Sequence, residues 1–427
     1  MLAPPGTTGL DAPSDCVSEA LGCGRSHLSR AHRLPLMGID VEKMRADTPG
    51  CAHVIHLNNA GCSLPPQPVL DAAIGYLEDE AVAGGYETAE ARADDLEGIY
   101  ESASRLLGAE PGEIAVTDSA TRAWAIAFAS LELGEGDRVL TTTSEDGATY
   151  IAYLQLAQRN GVVIDVVPDT STGEIDVAAL ADMIDDRVGL ISINHIPTNG
   201  GLVNPAAEVG RVANAAGIPY LLDACQSVGQ LPIDVGEIGC DFLSATGRKF
   251  LRGPRGTGLL YTRRAILDTV EPAVLDLWGA TWVAADRYEV RPDARRFELW
   301  EMNLAAKLAL RTAIDYSIAV GLDAIWERVQ SLAAGLRQRL REIDGVAVHD
   351  VGSVQGAIVT FTVDGHSPAE VKSALRRAGI NVSTVTPASA RLDMEGRGLA
   401  GLVRASVHYF NTEAELHACA EVVAGLE

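Results

Sequence analysis

Basic residues are scarce in this 427-residue chain: 34 Lys and Arg stand against 58 Asp and Glu, a formal net charge of −24. A surface of that sign attracts neither a phosphate backbone nor an anionic lipid face, so nucleic acid and membrane drop out as partners. Paired cysteines are missing too. Cys16, Cys23, Cys51, Cys62, Cys225, Cys240 and Cys419 are odd in number, form no Cys-x-x-Cys pair and sit beside no metal-ligand histidines. That excludes a disulfide framework and a zinc site, and reads as a reduced, cytoplasmic protein with no metal centre. Nor is there a long apolar run. The longest uncharged stretch, residues 189–207, is broken by Asn194, Pro197, Asn199, Gly200, Gly201 and Pro205, and does not fit a membrane span. The amino terminus shows no charged segment leading into an apolar one, so no secretory signal is expected.

What remains is an ordinary globular composition, 47% apolar and 22% charged, in a chain long enough for two or three domains. Residues 1–36, rich in Gly, Pro, Ser and Ala, read as a disordered tail, with Met37 a candidate start. A segment over 37–75 follows, with a short strand at Val54–Leu57, a turn at Asn58–Gly61, and a helix opening at Pro68. Between Ile114 and Tyr261 short β-branched runs alternate with helical spacing. Expected strands are Ile114–Thr117, Arg138–Thr142, Val162–Val167, Val188–Ile193, Tyr220–Leu222, Asp241–Ala245 and Gly258–Tyr261. The alternation predicts an α/β fold, a mostly parallel sheet covered on both faces, with ligands at the carboxyl ends of the strands. A large domain over 76–300 and linking helices with a smaller α+β carboxy-terminal domain over 301–427 complete the layout.

Two segments carry the chemistry. Tyr220-Leu221-Leu222-Asp223-Ala224-Cys225-Gln226 is an apolar strand that stops on a carboxylate. Ser244-Ala245-Thr246-Gly247-Arg248-Lys249 is a run of small residues ending in a lysine, with a glycine-rich stretch after it. An acid and a lysine on neighbouring strand ends are what pyridoxal phosphate requires. The amine holds the aldehyde as a Schiff base, and the acid keeps the pyridine nitrogen protonated. Upstream, Val116-Thr117-Asp118-Ser119-Ala120-Thr121-Arg122 joins a strand to a helix. Alone it would be an ordinary helix cap; beside the aspartate and lysine it reads as a phosphate site of free N–H groups and the Thr121 hydroxyl. Arg248 offers the phosphate a cation and depresses the neighbouring lysine.

With these motifs go His195-Ile196-Pro197-Thr198-Asn199-Gly200-Gly201, Gly253-Pro254-Arg255-Gly256-Thr257-Gly258 and Arg404-Ala405-Ser406-Val407-His408-Tyr409. In combination, from about Val54 to the carboxyl terminus, the chain resembles the class V aminotransferase-like, fold-type I pyridoxal-phosphate enzymes. That group includes cysteine desulfurases, isopenicillin N epimerase and the ergothioneine-pathway C–S lyase. The resemblance implies that Lys249 is catalytic and carries the cofactor, that Asp223 faces the pyridine nitrogen, and that Gln226 bonds the phenolic oxygen. It also implies that Thr246, Ala120 and Thr121 hold the phosphate and that Arg404 clamps the substrate carboxylate. Asn199, one place beyond the family's asparagine where Thr198 stands, and Tyr86 are the further substrate-contact candidates.

The departures from the desulfurases set the expected reaction. Where they stack an imidazole on the ring, this chain reads Ser144-Glu145-Asp146-Gly147-Ala148-Thr149-Tyr150, with Tyr150 a candidate partner. Where they carry a sulfur-accepting cysteine, it reads Val382-Ser383-Thr384-Val385-Thr386-Pro387-Ala388-Ser389-Ala390-Arg391, with Arg391 a candidate second carboxylate ligand. The resemblance therefore implies a homodimer acting on a small amino acid, with β-elimination from a cysteine S-conjugate as the leading expectation. Transamination and epimerisation are the alternatives. A cysteine desulfurase or a non-catalytic cofactor-binding protein ranks below them.

Overall fold

The structure is a computed structural model and describes residues 38–426; the expected tail over 1–36 lies outside the described residues. Seven strands form the main sheet: β1 (Ile114–Thr117), β2 (Arg138–Thr142), β3 (Val163–Val167), β4 (Val188–Asn194), β5 (Tyr220–Asp223), β6 (Phe242–Thr246) and β7 (Gly258–Thr262), in the order β1-β7-β6-β5-β4-β2-β3. Strands β2 to β6 run parallel. Strand β7 is antiparallel to both β6 and β1. Two reversals restore direction, so β1 points the same way as β6. This places the carboxyl end of β1 on the same edge of the sheet as those of β5 and β6.

Both faces of the inner strands β4 to β6 are buried, which is why they read as continuous apolar runs rather than alternating ones. Tyr220 and Leu222 pack in one core with Ile191, Ile193 and Leu243. Between them, Leu221 turns to the opposite core with Leu190, Phe242 and Leu260. Helices Ala120–Ala129, Gly147–Asn160 and Ala206–Ala216 connect the strands.

A second sheet contains β8 (Val346–Val348), β9 (Ile358–Val363), β10 (Ser383–Val385) and β11 (Leu402–Ser406), all antiparallel, in the order β8-β9-β11-β10. The amphipathic helix Leu322–Arg341 lays Ile325, Val329, Leu332, Leu336 and Leu340 into its core, and helix Glu413–Ala424 adds Leu416, Cys419 and Val423. Around Val382 the chain forms two short strands with different partners. Ile380–Asn381 pairs in parallel with Ile55–His56, and after the buried Val382 the chain joins β11 as β10. This exchange of partners ties the amino-terminal segment to the second sheet. Helices Gly85–Ala91 and Ala93–Leu107 and the hairpin of Ala280–Ala284 with Arg287–Val290 are additions to the expected elements.

Candidate active site

Four strand ends converge on one edge. Asp223 ends β5, in register with Asn194 at the end of β4 and with Ser244 on β6. Strand β6 ends at Thr246 and runs on through Gly247 and Arg248 to Lys249. Strand β1 ends at Thr117, where a short turn opens helix Ala120–Ala129. The ends of β5 and β6 and the helix start after β1 wall a cavity of about 340 Å³, lined by Ala120, Thr121, Asp223, Thr246, Arg248 and Lys249 among the residues singled out in the sequence.

The helix start is built for an anion. Ser119 caps it by accepting the Arg122 N–H at 3.1 Å, and Ala120 and Thr121 stand at the first positions, whose amides have no partner within a helix. Gly258, opening β7, permits this closeness. A Cβ there would lie 2.5 Å from the Ser119 carbonyl carbon and 2.7 Å from the Ala120 nitrogen.

Burial presses the Lys249 amine below the usual lysine range, with Arg248 and Arg404 acting in the same direction and Cys225 and Asp223 opposing. A neutral amine, able to attack an aldehyde or take a proton, is thereby favoured. Burial raises the Asp223 carboxyl, while the Lys249 charge and a 2.8 Å bond from the Cys225 N–H hold it back. Arg248 ties the site to the amino-terminal turn: its guanidinium donates to the Gly61 carbonyl, and its own carbonyl accepts the Ser63 N–H at 2.8 Å. Arg404 on β11 is buried, with Nη1 on the Thr198 hydroxyl at 2.8 Å and its carbonyl at 3.0 Å, and with Nε unpartnered. Burial and the neighbouring Arg248 press it down to about 10.

Polar atoms in this region await a ligand. Trp124 Nε1 and Ser244 Oγ line the cavity, buried and without a partner. Gln226 donates Nε2 to the Ala60 carbonyl at 3.4 Å, leaving Oε1 unpartnered. A lysine, a facing carboxylate, a helix start and unsatisfied donors in one cavity fit pyridoxal phosphate.

Relatives agree. The sequence profile of the class-V aminotransferase family matches residues 55–419. The chain belongs to that family. A probable cysteine desulfurase of Halobacterium salinarum is 31% identical over 406 residues, covering 90% of this chain and 96% of that one. The apo structure of a cysteine desulfurase from Thermococcus onnurineus NA1 superposes with a TM-score of 0.85 at 26% identity, covering 91% of this chain and 98% of that one. A C-DES variant with glycine covalently linked to its PLP cofactor shares the fold, with a TM-score of 0.80 at 22% identity, covering 89% of this chain and 98% of that one. The protein is thus a class-V, fold-type I enzyme, and the residues of its cavity fit pyridoxal 5′-phosphate.

Within this class-V site the structure does not assemble every candidate. Asn199 turns its amide onto Asp393 Oδ2 at 2.5 Å, and Asp393 also holds Arg397. Tyr86 is 79% exposed and lines a different hollow with Trp278 and Trp300. Arg391 is exposed and paired with Glu395. Tyr150 packs edge-on against Tyr153, ring centres 6.0 Å apart, because the helix it sits on turns it into the core. Asp146 and Thr149 line the cavity instead, with Trp124, Ser244 and Cys225. Two of these were within reach of spacing arguments. Trp124 lies one helical turn beyond Ala120, and Ser244 shares a strand face with Thr246.

Proposed function

We propose that this class-V enzyme cleaves the C–S bond of a cysteine S-conjugate by β-elimination, with the site residues in the roles the resemblance implies. Ala120, Thr121, Thr246 and Arg248 would hold the phosphate, Asp223 the ring nitrogen, Gln226 the phenolic oxygen and Arg404 the substrate carboxylate. Bound there, the cofactor supplies a protonated ring that takes up the electron pair of the Cα–H bond. Lys249 Nζ, its basicity tuned by burial, removes that proton. The Cβ–S bond then breaks with its electron pair on sulfur. A thiol leaves, and 2-aminoacrylate is hydrolysed to pyruvate and ammonia. No oxidant is needed.

The observation that carries elimination over sulfur transfer is the loop over 382–391, which holds Ser383, Ser389 and threonines but no cysteine. Cys225 in the cavity has its thiol pushed well above the usual range by burial and Asp223, so it supplies little thiolate. Cysteine desulfuration is the second reading, favoured by the names of the relatives; transamination and epimerisation would use the same lysine.

The division into a cofactor-binding domain over 76–300 and a smaller one over 301–427 belongs to this reading, as does a homodimer. Exposed Ile74, Leu77, Val82, Tyr86 and Trp300 supply apolar surface for such a contact. No helix among the described residues is long and apolar enough to cross a membrane, and the unpaired cysteines support a reduced, cytoplasmic setting. A screen of cysteine conjugates and sulfoxides for pyruvate release, run beside an amino-acid and keto-acid transamination panel, tests the assignment. Pyruvate without amino transfer is expected; amino transfer without pyruvate would overturn elimination.

A further inference from the structure

The cavity contains a carboxylate that the elimination above does not use. Asp146 stands in its wall with Lys249, Arg248 and Asp223. The side chain caps helix Gly147–Asn160, Oδ1 accepting the Ala148 N–H at 2.9 Å, and Oδ2 takes no hydrogen bond from the described residues. The backbone around it is fixed from three directions. Its N–H donates to Glu145 Oε1 at 2.8 Å, its carbonyl accepts the Thr149 hydroxyl at 2.8 Å, and the Gly147 N–H reaches the Ser389 carbonyl at 2.8 Å. A Cβ on Gly147 would lie 2.3 Å from the Ala388 carbonyl oxygen, so the loop over 382–391 closes directly on this turn. Asp146 is therefore a rigidly presented charge.

Of the cations nearby, Arg248 is engaged on Gly61 and Arg404 on Thr198, and Lys249 is the residue assigned to the cofactor. The Asp146 charge is felt at Arg404, which it raises, and at Asp223, which it also raises. With Arg404 assigned to the substrate α-carboxylate, an amino acid bound here has an arginine at its carboxylate and an unpaired carboxylate in the surrounding wall. A cationic group on the substrate side chain would gain an ion pair in a partly desolvated cavity, and an anionic one would meet repulsion.

We propose that Asp146 is a specificity-determining residue, selecting conjugates with a cationic group beyond the sulfur and rejecting anionic ones. The proposal rests on the reading of the site as one for cysteine conjugates. Its test separates the two. S-(2-aminoethyl)cysteine and S-(carboxymethyl)cysteine are similar in length and opposite in side-chain charge. Each is titrated into holoenzyme, with binding followed by the visible absorption of the bound cofactor and pyruvate measured separately.

The aminoethyl conjugate should bind at least about tenfold more tightly, and added salt should shrink the ratio. Asp146→Asn should bring the ratio to within about threefold, since asparagine is an equivalent helix cap and removes only the charge. Asp146→Ser, another cap former, should do the same if the first variant is unstable. A wild-type ratio near one, or a ratio unchanged in both variants, would overturn the proposal. Discrimination in binding with no pyruvate from either conjugate would instead sink the lyase reading and leave Asp146 in place.

Discussion

Asp223 on β5 stands directly in register with Ser244 on β6, the strand whose continuation carries Lys249. Parallel strands with evenly spaced hydrogen bonds fix that register. Sheet register sets the level of the acid, and the tight turn that follows Thr246 carries Lys249 on toward it.

Lys249→Ala should abolish both the visible absorption band of the bound cofactor and turnover. Lys249 is the one lysine lining the cavity, and its amine is the neutral-leaning one there. Borohydride reduction followed by peptide mapping checks it. Label on a different lysine would show the assignment to be wrong.

Asp223→Asn should keep the cofactor bound yet lose roughly 10²–10³ of the rate, the usual cost of removing one charge-stabilising partner at the reacting centre. An amide accepts the same backbone bond from Cys225 but cannot hold a proton on the ring nitrogen. Turnover within a few-fold of native would remove Asp223 from the mechanism.

Arg404→Lys should raise KM by about tenfold or more with a smaller change in Tm, since one charge-assisted hydrogen bond is worth roughly 1.5–3 kcal/mol. An ammonium lacks the planar fork that matches a carboxylate. Unchanged kinetics with a lowered Tm would make Arg404 a structural anchor for Thr198.

A Cys62→Ser, Cys225→Ser double variant should retain substantial pyruvate release, and no persulfide should appear on either cysteine in the native enzyme. Mass spectrometry during turnover with free cysteine is the check. A persulfide on either would favour sulfur transfer.

Glu145 gives the enzyme a measurable pH signature. Its carboxyl is buried, accepts bonds from Thr141 and Thr149 at 2.7 Å each, and is pushed up to about 7 by burial. A folded-state value above the unfolded one means the native protein binds the extra proton. Its stabilising contribution is full below about pH 4.5 and is lost as pH rises through 7. Between pH 5 and 8 the native protein should therefore lose up to about 3 kcal/mol relative to Glu145→Gln, beyond any constant offset. His195, pressed down to about 4, acts in the opposite direction but is common to both proteins and cancels. Denaturant unfolding at the two pH values reads the difference, and parallel pH profiles for the two proteins would refute it.

The sequence by itself determined the elements whose cause is local. The doubly buried strands β4 to β6 are continuous apolar runs, so their positions, the acid at the end of β5 and the lysine beyond β6 could be read directly. The helix start at Ala120 was equally visible, because caps are short-range chemistry. Tertiary structure decided which distant segments share a wall. Asn199 and Tyr86 lie in recognisable motifs, yet the amide closes on Asp393 and the phenol faces another hollow, since each answers to a neighbour far away in the chain. Asp146 shows the converse. In sequence it is one more acid before a helix; the cavity assigns it a role because β2 delivers that turn beside Asp223 and the loop over 382–391 holds it there. Strand register and loop closure depend on partners tens to hundreds of residues away, and no local pattern encodes them.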